Sequence, residues 1–183
     1  MMASAITRPV ALVAGLVIRR NSKFLELATA LVLQGLARGY SMSNIRWLIS
    51  QAALESNWGT SYGAQECNNF FGMHKPSKRS TTNVGSYAAF DGLTDVEYLK
   101  YATPWQCARD RFLWDDEFYE SVAPLKGSES YPDAVAARYH SSAGYGPAVY
   151  GVATANAEEI RRMTIAPLIV VPLELIILMR LLK

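Results

Sequence analysis

The chain has 183 residues, 50% of them hydrophobic and 19% charged, which is enough apolar material for one well-formed core and not for two. A formal net charge of +2, with no run of Lys and Arg interleaved with aromatics, argues against nucleic acid as a partner. Cys67 and Cys107 stand at no zinc-ligand spacing and are too few for a disulfide framework, so two reduced thiols are expected, with no metal and no cofactor.

Residues 1–23 form an apolar and basic segment in which PVALVAGLVI (Pro9 to Ile18) is bracketed by Arg8 and by Arg19 and Arg20. The order is that of a signal-peptide apolar region, but basic residues occupy the place of a small-residue cleavage site, so no cleaved signal is expected. A buried or surface-lying helix and a membrane-touching one both fit this stretch.

Residues 24–163 read as a string of short helices. FLELATALVLQGLARGY places Leu25, Ala28, Leu31, Val32 and Leu36 along one helical face. Ser43 is the expected cap of the next helix, where Ile45, Leu48, Ile49 and Ala52 follow helical spacing. Lys75 to Phe90 supplies at most a loop or a small hairpin. Thr94-x-x-Glu97 is a capping box that predicts a helix over VEYLKYA, and Thr103-x-x-Gln106, with Pro104 at the first position, predicts another. Pro132 opens PDAVAARYH, and Asn156-x-x-Glu159 opens the last helix.

Residues 164–183 form a hydrophobic tail. Its core, IAPLIVVPLELIILM (Ile165 to Met179), is short of the ~20 residues a spanning helix needs. Pro167 and Pro172 should interrupt helical bonding, and Glu174 is costly in hydrocarbon. Because so apolar a tail follows a complete domain, membrane attachment is expected over packing on that domain.

The chemistry concentrates at Glu55. It stands seven residues after Leu48, close to the helix face that carries the core leucine. A carboxyl held there is partly buried and harder to ionise, which is the state a general acid needs near neutral pH. Trp58, three residues on, can add an apolar wall. A lone Glu at a helix end is by itself a weak signal, since surface carboxylates are common there.

The surrounding string is more specific. QAALESNWG, with Gln51, Ala52, Ala53, Leu54, Glu55, Ser56, Trp58 and Gly59, followed by CNNFFGMH, with Asn68, Asn69, Phe71 and Gly72, resembles the N-acetylglucosaminidases of glycoside hydrolase family 73. That group includes many bacterial autolysins and flagellar-rod murein hydrolases. AAFDG and AGYGPAVY continue the resemblance with less specific motifs.

The resemblance implies a mainly α, lysozyme-like domain with a small, shortened β-hairpin, and Glu55 as proton donor to the β-1,4 bond of a peptidoglycan strand. It also implies tight backbone turns at Gly59 and Gly72 beside the cleft. Tyr145 matches a tyrosine that lies near the acid and matters for activity, although Gly146 and Pro147 replace the Thr-Asp pair usual after it. Asn69 and Phe71 match positions under the cleft and, with Trp58, are the expected substrate contacts; Phe70 is a weaker stacking candidate. His74 and His140 have no partner at metal or triad spacing and read as bland.

Glycosidases usually pair the acid with a second carboxylate. Relatives carry it on the hairpin, but Met73 to Phe90 contains no Asp or Glu, and Asp91 and Asp95 flank a helix start where capping explains them. Three mechanisms are open: attack by the substrate's own N-acetyl group, a lytic transglycosylase reaction, or Asp91 as base. A muramidase on the same polymer, or an inactive lysozyme-fold structural protein of a virion, are the rival functions. A compact wall hydrolase with an apolar tail suits a lipid-containing phage virion, alongside other virion proteins, or a bacterial envelope.

Overall fold

Asn21 opens the first helix, α1 (Ser22–Ala37), by accepting the Lys23 N–H on its side chain. The computed structural model describes residues 21–76, 79–88, 96–117 and 121–170, so the segment Pro9 to Ile18 and Asp91, Thr94 and Asp95 lie outside the described residues. Sequence spacing gave α1 one apolar face, yet Phe24, Leu27, Ala28, Ala30, Leu31, Val32 and Leu33 are all buried, whereas Leu25 and Leu36 are only partly covered. Three other helices pack on α1, which buries most of its circumference.

Helix α2 (Met42–Ser56) is capped by Ser41, whose Oγ accepts the Asn44 N–H at 3.2 Å, and not by the expected Ser43. The Ser41 N–H and the Asn44 side chain both bond the Lys126 carbonyl, which fixes where the helix begins. Ile45, Leu48, Ile49 and Ala52 are fully buried, as their spacing requires. Gly35 of α1 makes this contact close, because a Cβ there would stand 2.9 Å from Ile45 Cγ1.

The short helix α3 (Tyr62–Cys67) leads to the sheet. Strands β1 (Gly85–Ala88) and β2 (Glu97–Lys100) pair antiparallel, Gly85 opposite Lys100 and Ala88 opposite Glu97. The helix expected over VEYLKYA is therefore a strand. Its N–H and C=O groups find partners on two sides, β1 and the segment at Met73 to Lys75, and alternation turns Leu99 and Tyr101 inward while Lys100 stays exposed. Available ladder partners override a local capping signal. Arg79 ties the region to the helices through a buried, two-pronged pair with Asp110, which also accepts from the Tyr101 hydroxyl at 2.7 Å.

Helix α4 (Pro104–Glu117) starts as expected, with Gln106 N–H on Thr103 Oγ1. A single 3-10 turn (Ala123–Leu125) precedes α5 (Tyr131–Tyr139), which carries Pro132 in its first turn. Helices α6 (Tyr145–Ala155) and α7 (Ala157–Val170) are separated at Asn156, the expected break. The expected interruption at Pro167 does not occur: α7 continues to Val170, with Thr164 and Ala166 buried and Leu168 packed on the core. The first residues assigned to a tail are thus part of the domain, whereas 171–183, with Pro172 and Glu174, lie outside the described residues. Among the described residues, no helix is long and apolar enough to cross a membrane. Cys67 and Cys107 are free and buried.

Candidate active site

Helix α2 ends one residue after Glu55, and its ending is abrupt. Asn57, Trp58 and Gly59 take successive left-handed φ values of 47°, 56° and 78°. Ser56 pins the turn, its Oγ donating to Ala52 O and accepting from Gly59 N–H. Glycine is required at Gly59, where a Cβ would stand 3.0 Å from Phe24 Cβ and 3.2 Å from the Phe70 ring. The turn throws the chain away from the helix end and leaves the Glu55 carboxylate at the edge of the core.

Glu55 is partly buried, and burial raises its pKa above the ordinary carboxylate value; the Tyr145 hydrogen bond and the charge of His140 pull in the other direction. The Tyr145 hydroxyl donates to Glu55 Oε1 at 2.6 Å. Tyr145 opens α6, and its ring stacks with those of Tyr139 (5.8 Å, 15°) and His140 (5.1 Å, 10°). Burial and the Glu55 charge push its phenol pKa far up, so it serves as a neutral donor. Gly146, where a Thr-Asp pair was the family expectation, has a packing reason: its Cβ position lies 3.3 Å from Ala136 Cβ, so a small residue lets α6 approach α5.

Behind Tyr145 runs a buried polar chain. Gln51 Nε2 donates to the Tyr145 oxygen at 2.9 Å, and Gln51 Oε1 accepts from Arg111 Nε and Nη2, each at 3.2 Å. Arg111 Nη1 meets Asp115 Oδ1 at 2.5 Å, while Asp115 Oδ2 accepts from Tyr40 (2.7 Å) and Tyr131 (2.6 Å). The Arg111 guanidinium, 0% exposed, also lies over the rings of Trp114, Tyr139 and Phe71. Burial would lower its pKa, but the Asp115 charge outweighs that, and the group stays cationic.

On the other side, Gly72 (φ +60°) separates the acid from the sheet: a Cβ there would stand 3.8 Å from Glu55 Oε2 and 4.0 Å from Tyr98 Cε1. Tyr98 begins an aromatic run, edge-on to His74 (4.7 Å) and stacked on Tyr87 (5.5 Å), which meets the exposed Tyr62 at 6.0 Å.

Glu55 and Tyr145 are therefore brought together, whereas Asn69 and Phe71, two of the expected substrate contacts, are buried. Asn69 is 3% exposed, its amide bonding Met73 N–H and the carbonyls of Met73 and Leu99, so it holds the loop. Phe71 is 0% exposed under Arg111, and Phe70 is equally buried against Phe24. Trp58 turns its ring onto Phe24 at 5.4 Å. Gln51, Arg111, Asp115 and His140 escaped notice as site residues. Gln51 stood in the motif, and Arg111 and Asp115 have i, i+4 spacing, which normally marks a surface pair; for His140 no sequence signal exists. Asp91, the carboxylate the sequence offered as a second group, lies outside the described residues, and among the described ones no cluster fit to hold a metal ion occurs.

A helical scaffold presenting one half-buried carboxyl with a phenol donor, opposite a small aromatic-faced sheet, defines a lysozyme-like glycosidase. The model of the glucosaminidase family, described as mannosyl-glycoprotein endo-β-N-acetylglucosaminidase, matches residues 32–159, and the chain belongs to that family. Its fold is similar to the catalytic domain of the autolysin Auto from Listeria monocytogenes, with TM-score 0.52 at 21% identity over 87% of this chain and 94% of that one. It is also similar to a chain in a type VI secretion system effector–immunity complex from Pseudomonas protegens, with TM-score 0.51 at 18% identity over 79% and 95%. Among curated proteins, no sequence relative matches.

Proposed function

We propose that the chain cleaves the β-1,4 glycan backbone of peptidoglycan as an N-acetylglucosaminidase, with Glu55 as general acid. The observation that carries this reading is the Glu55 carboxyl, its pKa raised by burial and one of its oxygens met by the Tyr145 hydroxyl. Family membership supports the bond type, and the likeness to an autolysin's catalytic domain supports the polymer. Sugar rings would run past Tyr98, Tyr87 and Tyr62, aromatic faces and edges suited to them.

Glu55 gives its proton to the glycosidic oxygen, the C1–O bond breaks, and that oxygen leaves with the electron pair. Because Met73 to Phe90 contains no Asp or Glu, the substrate's own N-acetyl oxygen is the proposed nucleophile at C1, and water, losing a proton to Glu55, then opens the resulting ring. Mass spectrometry of digested peptidoglycan is expected to find new reducing GlcNAc ends. Anhydromuramyl ends would replace this reading with the transglycosylase one.

The apolar sequence of 171–183 supports a further proposal, that the chain works at a lipid surface, in a bacterial envelope or a lipid-containing virion. The full chain is then expected to partition into detergent and a chain ending at Val170 to stay in the aqueous phase. Equal partitioning of the two removes the tail from the account.

A further inference from the structure

The polar chain behind Tyr145 has a direction that follows from donor and acceptor chemistry alone. Arg111 has only N–H groups to offer, and two of them converge on one atom of the Gln51 amide, which must be the oxygen. The Gln51 NH2 group therefore faces Tyr145 and can only donate, so the phenol oxygen accepts. A phenol has one hydrogen, and it is left for Glu55 Oε1. Oε1 is thereby an acceptor in either protonation state of Glu55, and the acid proton belongs on Oε2, the oxygen beside Gly72 that faces the sheet.

We propose that Gln51 is a positioning residue: held by Arg111, it fixes the direction of the Tyr145 hydrogen bond and so confines the transferable proton of Glu55 to Oε2. The role depends on Glu55 being the acid, and it adds which oxygen acts and what decides it. Once the proton has gone to the glycosidic oxygen, the Tyr145 hydrogen already points at the carboxylate left behind, so no donor has to reorient during the step. Asp115 holds Arg111 from the far side and is itself held by the Tyr40 and Tyr131 hydroxyls, which makes the arrangement rigid.

Gln51→Glu tests this with little change of shape. The new carboxylate still accepts from Arg111, but toward Tyr145 it is an acceptor; the phenol hydrogen turns to it, and Glu55 loses its donor and gains a nearby negative charge. Carbon-13 NMR titration of the Glu55 carboxyl is expected to show its pKa raised by about one unit or more over the parent. The basic limb of the kcat–pH profile on peptidoglycan should move up with it, while the plateau kcat below that limb falls, because the carboxylate left after proton transfer has lost its donor. Gln51→Met, which removes the donor without adding charge, is expected to raise the same pKa by less and decides the matter if the Glu variant does not fold. In the parent chain, the Gln51 side-chain amide signal is expected to titrate together with Glu55, a reading that needs no substitution. An unmoved Glu55 titration in a folded variant, or a flat Gln51 signal in the parent, overturns the proposal. The NMR readings need no turnover, so a parent inactive on peptidoglycan would sink the proposed function and still leave Gln51 to be decided.

Discussion

Glu55→Gln is expected to lower turnover of purified peptidoglycan by about 10²–10⁴-fold, the contribution general acid catalysis makes, with the fold intact. The amide keeps an oxygen for the Tyr145 hydroxyl but has no proton to deliver to a leaving oxygen. Loss of stability cannot account for the effect. A carboxyl whose folded pKa is raised contributes stability below its unfolded pKa and loses it as pH rises through the folded value, where the ionised form is held half-buried. Above that pH the neutral amide escapes the cost, so there the variant should melt no lower than the parent.

The same shift sets the sign of the pH–rate profile. The acid is active when protonated, so activity falls as pH rises through a pKa that burial has moved above the usual carboxylate value. Equal clearing of peptidoglycan by parent and variant in a zymogram would remove Glu55 from catalysis.

Asp115→Ala is expected to be the most destabilising single change in the site's support. It leaves the fully buried Arg111 guanidinium without its anion and the Tyr40 and Tyr131 hydroxyls without their acceptor. Removing one partner of a buried pair costs about 3–5 kcal/mol, a large share of the 5–15 kcal/mol by which a domain of this kind is stable. With a urea m-value of about 2 kcal/mol/M, the unfolding midpoint should fall by roughly 2 M. A loss under ~1 kcal/mol would mean that the network is not the rigid support described. Activity should fall as well under conditions where the variant is folded, because Arg111 would no longer be fixed against Gln51.

How much of this was legible in the sequence differs by element. The run Ile45, Leu48, Ile49, Ala52 and the Thr103–Pro104 start carry local signals that neighbouring segments do not contest, and both formed as read. At VEYLKYA the local capping signal met two strand edges, which only the fold supplies, and lost. At Pro167 the helix continues because Thr164, Ala166 and Leu168 are packed, which outweighs one missing N–H bond.

The family resemblance picked out Glu55 in the ALESNWG string and Tyr145 in AGYGPAVY, and the two meet. It placed Asn69 and Phe71 by position without telling a loop brace and a core ring from sugar contacts, since that difference lies in burial.

The sequence by itself determined the class of fold, the family and which carboxyl is the candidate acid, because these rest on a contiguous motif and on helical spacing. Tertiary structure alone decided what the acid is worth. Glu55 and Tyr145 are 90 residues apart, Gln51 and Arg111 are 60 apart, and Tyr40 and Asp115 are 75 apart. Hydrogen bonds between groups so distant in the chain leave no periodicity to read. They arise only where packing excludes water and each buried donor must find its acceptor, and here that accounting directs one phenol hydrogen to Oε1 and leaves Oε2 for the proton.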